Sequence, residues 1–394
     1  MNLSSSTAKD LHGQTVKALF FIPSLEGGGA ERVMVEILRY INRESIKPVL
    51  VLLYPYENSP YREYIPKGLR VIVVQRKSDS SFNKIRQCAA FLKAVFREKP
   101  HIIVSMLTHS NIMAISAKLL FRKRVIIGEH NTLSEVTKTK EGRRMLWFPT
   151  TALVKIFYRF ADKIIAVSEG VKTDLVEKFN ILPGNVDVIH NPIDLKRISE
   201  LCNNSIEHVF FREGVPVIVS VGRLVPQKGY DILLKAFSNV IKEMDARLII
   251  LGEGPEKEVL LRLAQDLFII EKVFFAGFQN NPYKFISKAD VFVLSSRYEG
   301  LPMVLLEAMA CDTPVVSTDC KSGPREIVQN NICGLLVHTD DMDALSTAIL
   351  KLLRDKALRE RFSISAKQRV KNFAIEKITS EYEKIIYRSV LASR

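Results

Sequence analysis

At 394 residues and 44.7 kDa the chain exceeds one ordinary hydrophobic core, so two domains are expected. Its 47% hydrophobic and 25% charged residues are a globular balance that excludes a disordered chain. The net charge of +14 is uneven: residues 1–192 carry 29 Lys/Arg against 17 Asp/Glu, and residues 193–394 carry 28 against 26. A basic half faces nucleic acid, an anionic membrane or an anionic substrate, or is plain solvated surface; charge alone does not choose.

In chain order, the start MNLSSSTAKD has no apolar core behind a basic segment, so no signal peptide is expected. Strands are predicted at 17–22, 48–53, 70–74, 101–106, 124–127, 162–167 and 186–189, then at 216–221, 247–251, 272–276, 290–294, 314–317 and 334–337. These are short, nearly continuous apolar runs separated by helical patterns, as in parallel sheets buried on both faces. Alternation of this kind builds right-handed βαβ units, hence an α/β protein with a doubly wound parallel sheet in each half. The boundary is placed at His190-Asn191-Pro192, giving domains 1–192 and 193–373. The last segment, 374–394, reads as an amphipathic helix with Ile375, Ile378, Tyr382, Ile385 and Ile386 on one stripe, expected to pack back on the first domain.

The longest uncharged window, 100–117, contains two histidines and several hydroxyl and amide residues, too polar to cross lipid. Cys88, Cys202, Cys311, Cys320 and Cys333 are odd in number and form no C-x-x-C pair. That argues against a disulfide framework or zinc site and for a reducing, cytoplasmic compartment.

The most informative stretch is Ser295–Cys311, S-S-R-Y-E-G-L-P-M-V-L-L-E-A-M-A-C. A strand ends, a short loop carries Arg297, Tyr298 and Glu299, and Pro302 stands at an expected first helical position. Amides around Gly300, Leu301 and Met303 would then face out of the strand's carboxyl end, where open α/β sheets bind ligands. Glu307 sits on an otherwise apolar helix, where a carboxylate needs a donor. A ribose diol offers one; an arginine or a backbone group is the other reading. Arg223 and Lys228, five residues apart after a strand, can present a forked donor and a point charge to a diphosphate, or be solvated. Gly27-Gly28-Gly29 opens a helix; taken alone it is a plain turn, and it is neither a G-x-G-x-x-G nor a Walker loop.

Together these residues resemble glycosyltransferase family 4, the group 1 family of retaining transferases with the GT-B fold. E-G-L-P-x-x-x-x-E, from Glu299 to Glu307, is similar to its E-x7-E signature. Gly222-Arg223-Leu224 with Lys228-Gly229 resembles its phosphate grip, Gly252-Glu253-Gly254-Pro255 its G-x-G-P turn, Gly277-Phe278 the loop beside the nucleobase, and Gly27–Arg32 its G-G-A-E-R loop. The resemblance covers residues 17 to 390 and implies two Rossmann-like domains facing a cleft, an acceptor domain first and a nucleotide-sugar domain second. It implies retaining transfer from a UDP-sugar (UDP-GalNAc, UDP-GlcNAc or UDP-Gal) to a lipid-linked or surface-glycan acceptor, with GDP-mannose as the alternative donor. By resemblance, Glu299 and His130 contact the donor sugar, with Glu307 on the ribose. Gly28, Gly29, Arg223, Lys228, Gly252, Phe278, Gly300, Leu301 and Met303 complete the donor site.

Several features have competing readings. Ser168-Glu169 is better explained as a helix cap, and Glu326 in G-P-R-E-I is expected in a short helix near the cleft. Asp341-Met342-Asp343 matches the D-x-D of metal-dependent transferases of the other major fold, but precedes an amphipathic run and reads as a cap. No metal or other cofactor is expected. Nucleic acid is disfavoured for want of any recognised module. Basic clusters at 62–99 and 118–144, the second with Arg122, Lys123, Arg124, Arg143 and Arg144 leading into Met145-Leu146-Trp147-Phe148, suggest peripheral binding to the anionic inner face of the cell membrane. Packing of Trp147 and Phe148 into the domain is the alternative. A GT-B-fold epimerase and a non-catalytic membrane-binding protein are the rival functions of other classes.

Overall fold

The computed structural model describes residues 15–74, 82–139, 143–145, 148–211 and 214–391. The chain forms two compact units. The first comprises the chain up to Val167, Val171–Pro192 and the chain from Ile375; the second comprises Ser168–Gly170 and Ile193–Ala374.

In the first unit, β1 (Val16–Ile22), β2 (Ile46–Leu52), β3 (Arg70–Val73), β4 (Ile102–Met106) and β5 (Arg124–Glu129) precede a two-strand hairpin, β6 (Arg144–Met145) and β7 (Phe148–Pro149). Then come β8 (Lys163–Ala166) and β9 (Val186–Val188). Seven of them make one parallel sheet in the order β3-β2-β1-β4-β5-β8-β9. Leu19 to Ile22 have no solvent exposure, as a strand covered on both faces requires. The helix Ile375–Leu391 belongs here and buries Ile375, Ile378, Tyr382, Ile385 and Ile386. Burial of each such side chain is worth about 1.5–3 kcal/mol, and Glu383 of the same helix accepts the Asn42 amide at 2.7 Å.

The second unit carries β10 (Val217–Val221), β11 (Arg247–Leu251), β12 (Val273–Gly277), β13 (Val291–Leu294), β14 (Val315–Thr318) and β15 (Gly334–Val337). They form a parallel sheet in the order β12-β11-β10-β13-β14-β15. The ends of its long segment are tied together, the Ile193 amide donating to the Phe373 carbonyl at 2.9 Å.

All thirteen expected strands are present within about two residues; among the described residues the Arg144–Pro149 hairpin is the addition. In both sheets the order reverses beside the first strand, at β1/β4 and at β10/β13. Loops leaving the carboxyl ends of the two strands at such a reversal diverge to opposite faces and leave a crevice.

Candidate functional site

At the β10/β13 reversal the two diverging loops are laced together. The loop after β10 ends in a short turn, Pro226–Lys228, closed by Gly229 at φ 61°. A Cβ on Gly229 would lie 2.2 Å from the Ser295 carbonyl oxygen, so only glycine lets these loops touch. Ser295 Oγ donates to the Lys228 carbonyl at 2.8 Å, the Arg297 amide to the Gln227 carbonyl at 2.8 Å, and Gln227 Nε2 to the Tyr298 carbonyl at 2.8 Å.

This lacing brings Lys228 and Glu299 together. Lys228 Nζ lies 2.6 Å from Glu299 Oε1, with side chains 18% and 9% exposed, and Ser296 Oγ donates to the same oxygen at 2.7 Å. Arg297, by contrast, is committed to the fold, bonding Asp340, Asp231 and the Pro226 carbonyl. Arg223 is exposed.

The helix Met303–Ala310 follows. Pro302 occupies its cap rather than the first helical position, a shift of one residue from expectation. Leu301 and Met303 are buried, and Gly300 is held through its carbonyl, which accepts from Ser168 Oγ at 2.9 Å and Ser322 Oγ at 3.0 Å. Gly323, at φ 90°, packs on Gly300 and Pro302. Glu307 is 3% exposed, and the Tyr283 hydroxyl donates to its Oε1 at 3.4 Å.

Gly252 acts as a spacer. At φ 139°, a Cβ there would fall 2.0 Å from the Gly222 carbonyl oxygen. Its amide donates to the Gly277 carbonyl at 2.8 Å and the Gly222 amide to the Leu251 carbonyl at 2.9 Å, so three loops stack at the strand ends. Phe278, next along, is 56% exposed. The second unit thus gathers Arg223, Lys228, Gly252, Phe278, Glu299, Gly300, Leu301, Met303 and Glu307 on loops and one helix beyond β10 to β13.

Gly28, Gly29 and His130 belong to the first unit. The Gly27 and Gly28 amides both donate to Glu31 Oε2 at 2.7 Å, and Ser24 Oγ to Glu31 Oε1 at 2.9 Å. The helix Gly29–Tyr40 therefore receives its N-terminal anion from its own third residue, while Gly29 stays open, with nothing near an added Cβ.

His130 follows β5. Both ring nitrogens are out of reach of solvent and lack a hydrogen-bonding partner of good geometry among the described residues. Burial pushes the imidazole down to about 4, with nearby Asn191 acting weakly the other way, so the ring is neutral at physiological pH. Glu129, the last residue of β5, is also buried. Its Oε1 accepts from Tyr158 Oη, from Asn111 Nδ2 at 3.0 Å and from Thr108 Oγ1 at 3.3 Å. Burial nevertheless outweighs these bonds and lifts the carboxyl to about 7. Thr108 and Asn111, both on the helix Thr108–Phe121, and Tyr158 were not identified from sequence, and neither were Tyr283 and Ser296; apart from Ser296, three residues before Glu299, each reaches its carboxylate from another element.

Other candidates have structural partners. Glu326 accepts the Glu169 and Gly170 amides at 3.0 and 3.2 Å. Asp341 caps the helix Met342–Arg354 through the Ala344 amide, as expected, and Asp343 accepts from Asn239 Nδ2 at 3.1 Å. In the basic clusters, Lys118 and Arg124 pair with Asp162, Lys138 with Glu135, and Arg70 with Glu98. Leu146 and Trp147 lie outside the described residues, as do the side chains of Arg144, Met145 and Phe148 and the first 14 residues. No described helix is long and apolar enough to cross a membrane.

The chain matches two family models, glycosyltransferase family 4 over residues 27–197 and glycosyl transferases group 1 over residues 203–369. It is 32% identical, over 92% of its length and 96% of the relative's, to N-acetylgalactosamine-N,N'-diacetylbacillosaminyl-diphospho-undecaprenol 4-alpha-N-acetylgalactosaminyltransferase of Campylobacter jejuni. It is 28% identical to a second enzyme of that organism, GalNAc-alpha-(1->4)-GalNAc-alpha-(1->3)-diNAcBac-PP-undecaprenol alpha-1,4-N-acetyl-D-galactosaminyltransferase, over 94% and 98%. Among solved structures, sucrose-phosphate synthase of Thermosynechococcus elongatus shares the fold with a TM-score of 0.81 at 19% identity, covering 96% of this chain and 100% of that one.

Proposed function

The chain belongs to the family 4, or group 1, glycosyltransferases, and from that premise we propose that it transfers a sugar, with retention and without a metal, from a UDP-sugar to a lipid-linked glycan. The observation that carries this reading is the Lys228–Glu299 pair, fixed by laced loops at a sheet reversal, with Glu307 one helix turn and more beyond it. Lys228, exposed Arg223 and the amide end of the helix Met303–Ala310 would neutralise a departing diphosphate by preorganised charge. Glu299 would hold donor-sugar hydroxyls, and Glu307, steadied by Tyr283, the ribose. A neutral His130 suits a hydrogen bond to a sugar hydroxyl rather than an ion pair with phosphate. Attack of the acceptor hydroxyl on the same face, its proton passing to the leaving phosphate oxygen, would retain the anomeric configuration.

The relatives' names support the substrates: both Campylobacter enzymes transfer N-acetylgalactosamine to undecaprenol diphosphate-linked glycans. Such acceptors live at a membrane, and the first unit offers a face for one. The Phe96 and Phe121 rings, 6.0 Å apart, bring two helix ends together, with Phe96, Leu119 and Leu120 exposed among exposed Arg97 and Arg122. Each Lys/Arg near an anionic surface adds ~1 kcal/mol.

The test offers the purified chain a panel of UDP-sugars and GDP-mannose, with undecaprenyl diphosphate-linked glycans in anionic or neutral vesicles and excess EDTA. UDP release that depends on acceptor, with an α-linked product from an α-donor, is expected. Turnover of GDP-mannose alone, an inverted linkage, or activity lost to EDTA and restored by Mg²⁺ or Mn²⁺ would each overturn its part of the proposal. Equal rates in both vesicle types would count against the membrane face.

A further inference from the structure

The second unit holds two thiols in contact that the transfer reaction does not use. Cys202 ends the helix Leu195–Cys202, and Cys311 caps the helix Met303–Ala310. Their sulfurs are 2.9 Å apart across 109 residues of sequence, and both are unbridged. Backbone contacts hold each in place. Asn281 Nδ2 donates to the Leu201 carbonyl at 3.0 Å and Ser287 Oγ to the Cys202 carbonyl at 3.1 Å. The Cys311 amide donates to the carbonyls of Glu307 and Ala308 at 3.0 and 3.1 Å.

The two thiols differ in the way an attacking and a resolving thiol differ. Cys202 is partly exposed, and its contact with Cys311 lowers its pKa despite burial. Cys311 is 8% exposed, and the same contact together with burial holds its thiol far up. A partly exposed thiol whose pKa is lowered, with a second sulfur already against it, is the arrangement thiol–disulfide exchange requires.

We propose that Cys202 and Cys311 form a redox-modification site, a dithiol that a small-molecule disulfide such as oxidised glutathione closes reversibly, and that closure weakens nucleotide binding. Cys202 thiolate attacks one sulfur of the oxidant; the oxidant's S–S bond breaks and one thiolate leaves with the electron pair. Cys311 then gives up its proton, its sulfur attacks that of Cys202 in the mixed disulfide, and the second thiol is expelled. The protein loses two electrons and two protons, and the oxidant becomes two thiols.

Closure to a bond of about 2.05 Å moves the sulfurs on the order of 1 Å. Glu307 is one helical turn before Cys311, on the same face, and its carbonyl holds the Cys311 amide. Tyr283, which donates to Glu307, opens the short helix Tyr283–Ile286, and residues 281 and 287 flanking it are bonded to the Cys202 end. The bridge would therefore pull on both partners of the Tyr283–Glu307 contact. This consequence rests on the assignment of Glu307 to the nucleotide.

The experiment treats the full chain with oxidised glutathione, maps the peptides by mass spectrometry, and measures UDP affinity by calorimetry before oxidation, after it, and after dithiothreitol. A linked Cys202–Cys311 peptide and a threefold or greater rise in Kd, reversed by dithiothreitol and absent in Cys202→Ser, are expected. Cys202→Ser should bind UDP as the reduced chain does. Failure to form the linked peptide, or a linked chain of unchanged UDP affinity, would overturn the proposal. A linked peptide in a chain that binds no UDP in either state would refute the nucleotide assignment and leave the dithiol standing.

Discussion

Lys228→Met separates two roles that fall on one ammonium. Nζ sits 2.6 Å from Glu299 Oε1 in a pair whose side chains are 18% and 9% exposed. Methionine keeps most of the packed stem and deletes the charge. The first loss is structural: removing one partner from a buried ion pair costs on the order of 3–5 kcal/mol. The lower end of that range applies, because Ser296 Oγ still donates to Glu299 at 2.7 Å. The second loss concerns the diphosphate, where a charge-assisted contact is worth about 1.5–3 kcal/mol. At about 1.4 kcal/mol per decade that is roughly a tenfold to hundredfold weaker Kd for UDP. Adding Glu299→Gln removes the stranded charge, so the double variant should recover much of its urea midpoint but none of its UDP affinity. Urea unfolding and calorimetry read the two losses separately. A UDP affinity within twofold of wild type in Lys228→Met, with stability lowered as expected, would refute the phosphate role and leave Lys228 a strut for Glu299.

Two further outcomes follow from groups the fold holds against their preferences. Burial holds Glu129 at about 7 instead of 4.5 and His130 at about 4 instead of 6.5. The buried carboxyl thus costs stability as pH rises from about 4.5 to 7, whereas the buried imidazole costs it as pH falls from about 6.5 to 4, each by up to on the order of 3 kcal/mol. Wild-type slopes therefore oppose one another, Glu129→Gln should gain stability with rising pH, and His130→Gln should lose it; superimposable urea-midpoint profiles for the three proteins would refute both assignments. Gly252→Ala places a methyl 2.0 Å from the Gly222 carbonyl oxygen at φ 139°, so it should lose at least about 1–3 kcal/mol in urea unfolding and weaken UDP binding with it; a variant with wild-type stability would show that the three-loop stack is not rigid.

What could be read from the sequence divides along a physical line. Strands were legible because each is an apolar run between helical patterns, a local signal repeated thirteen times. The hairpin Arg144–Pro149 was not, since two-residue strands have no period to detect. The places of Glu299, Glu307, Arg223 and Lys228 were legible because each stands in the loop or helix directly after a strand that the sequence marks; the roles given to them come from the family resemblance and are proposals. Their partners were not legible. Tyr283 reaches Glu307 from another helix, and Asn111 and Tyr158 reach Glu129 from 18 and 29 residues away. One partner did leave a mark: Glu31 stands three residues after Gly28, the spacing at which a carboxylate turns back on its own helix start, and it accepts the Gly27 and Gly28 amides. A run of glycines before a helix is a plain turn when read alone, and a carboxylate three places on marks the turn that the chain closes on itself.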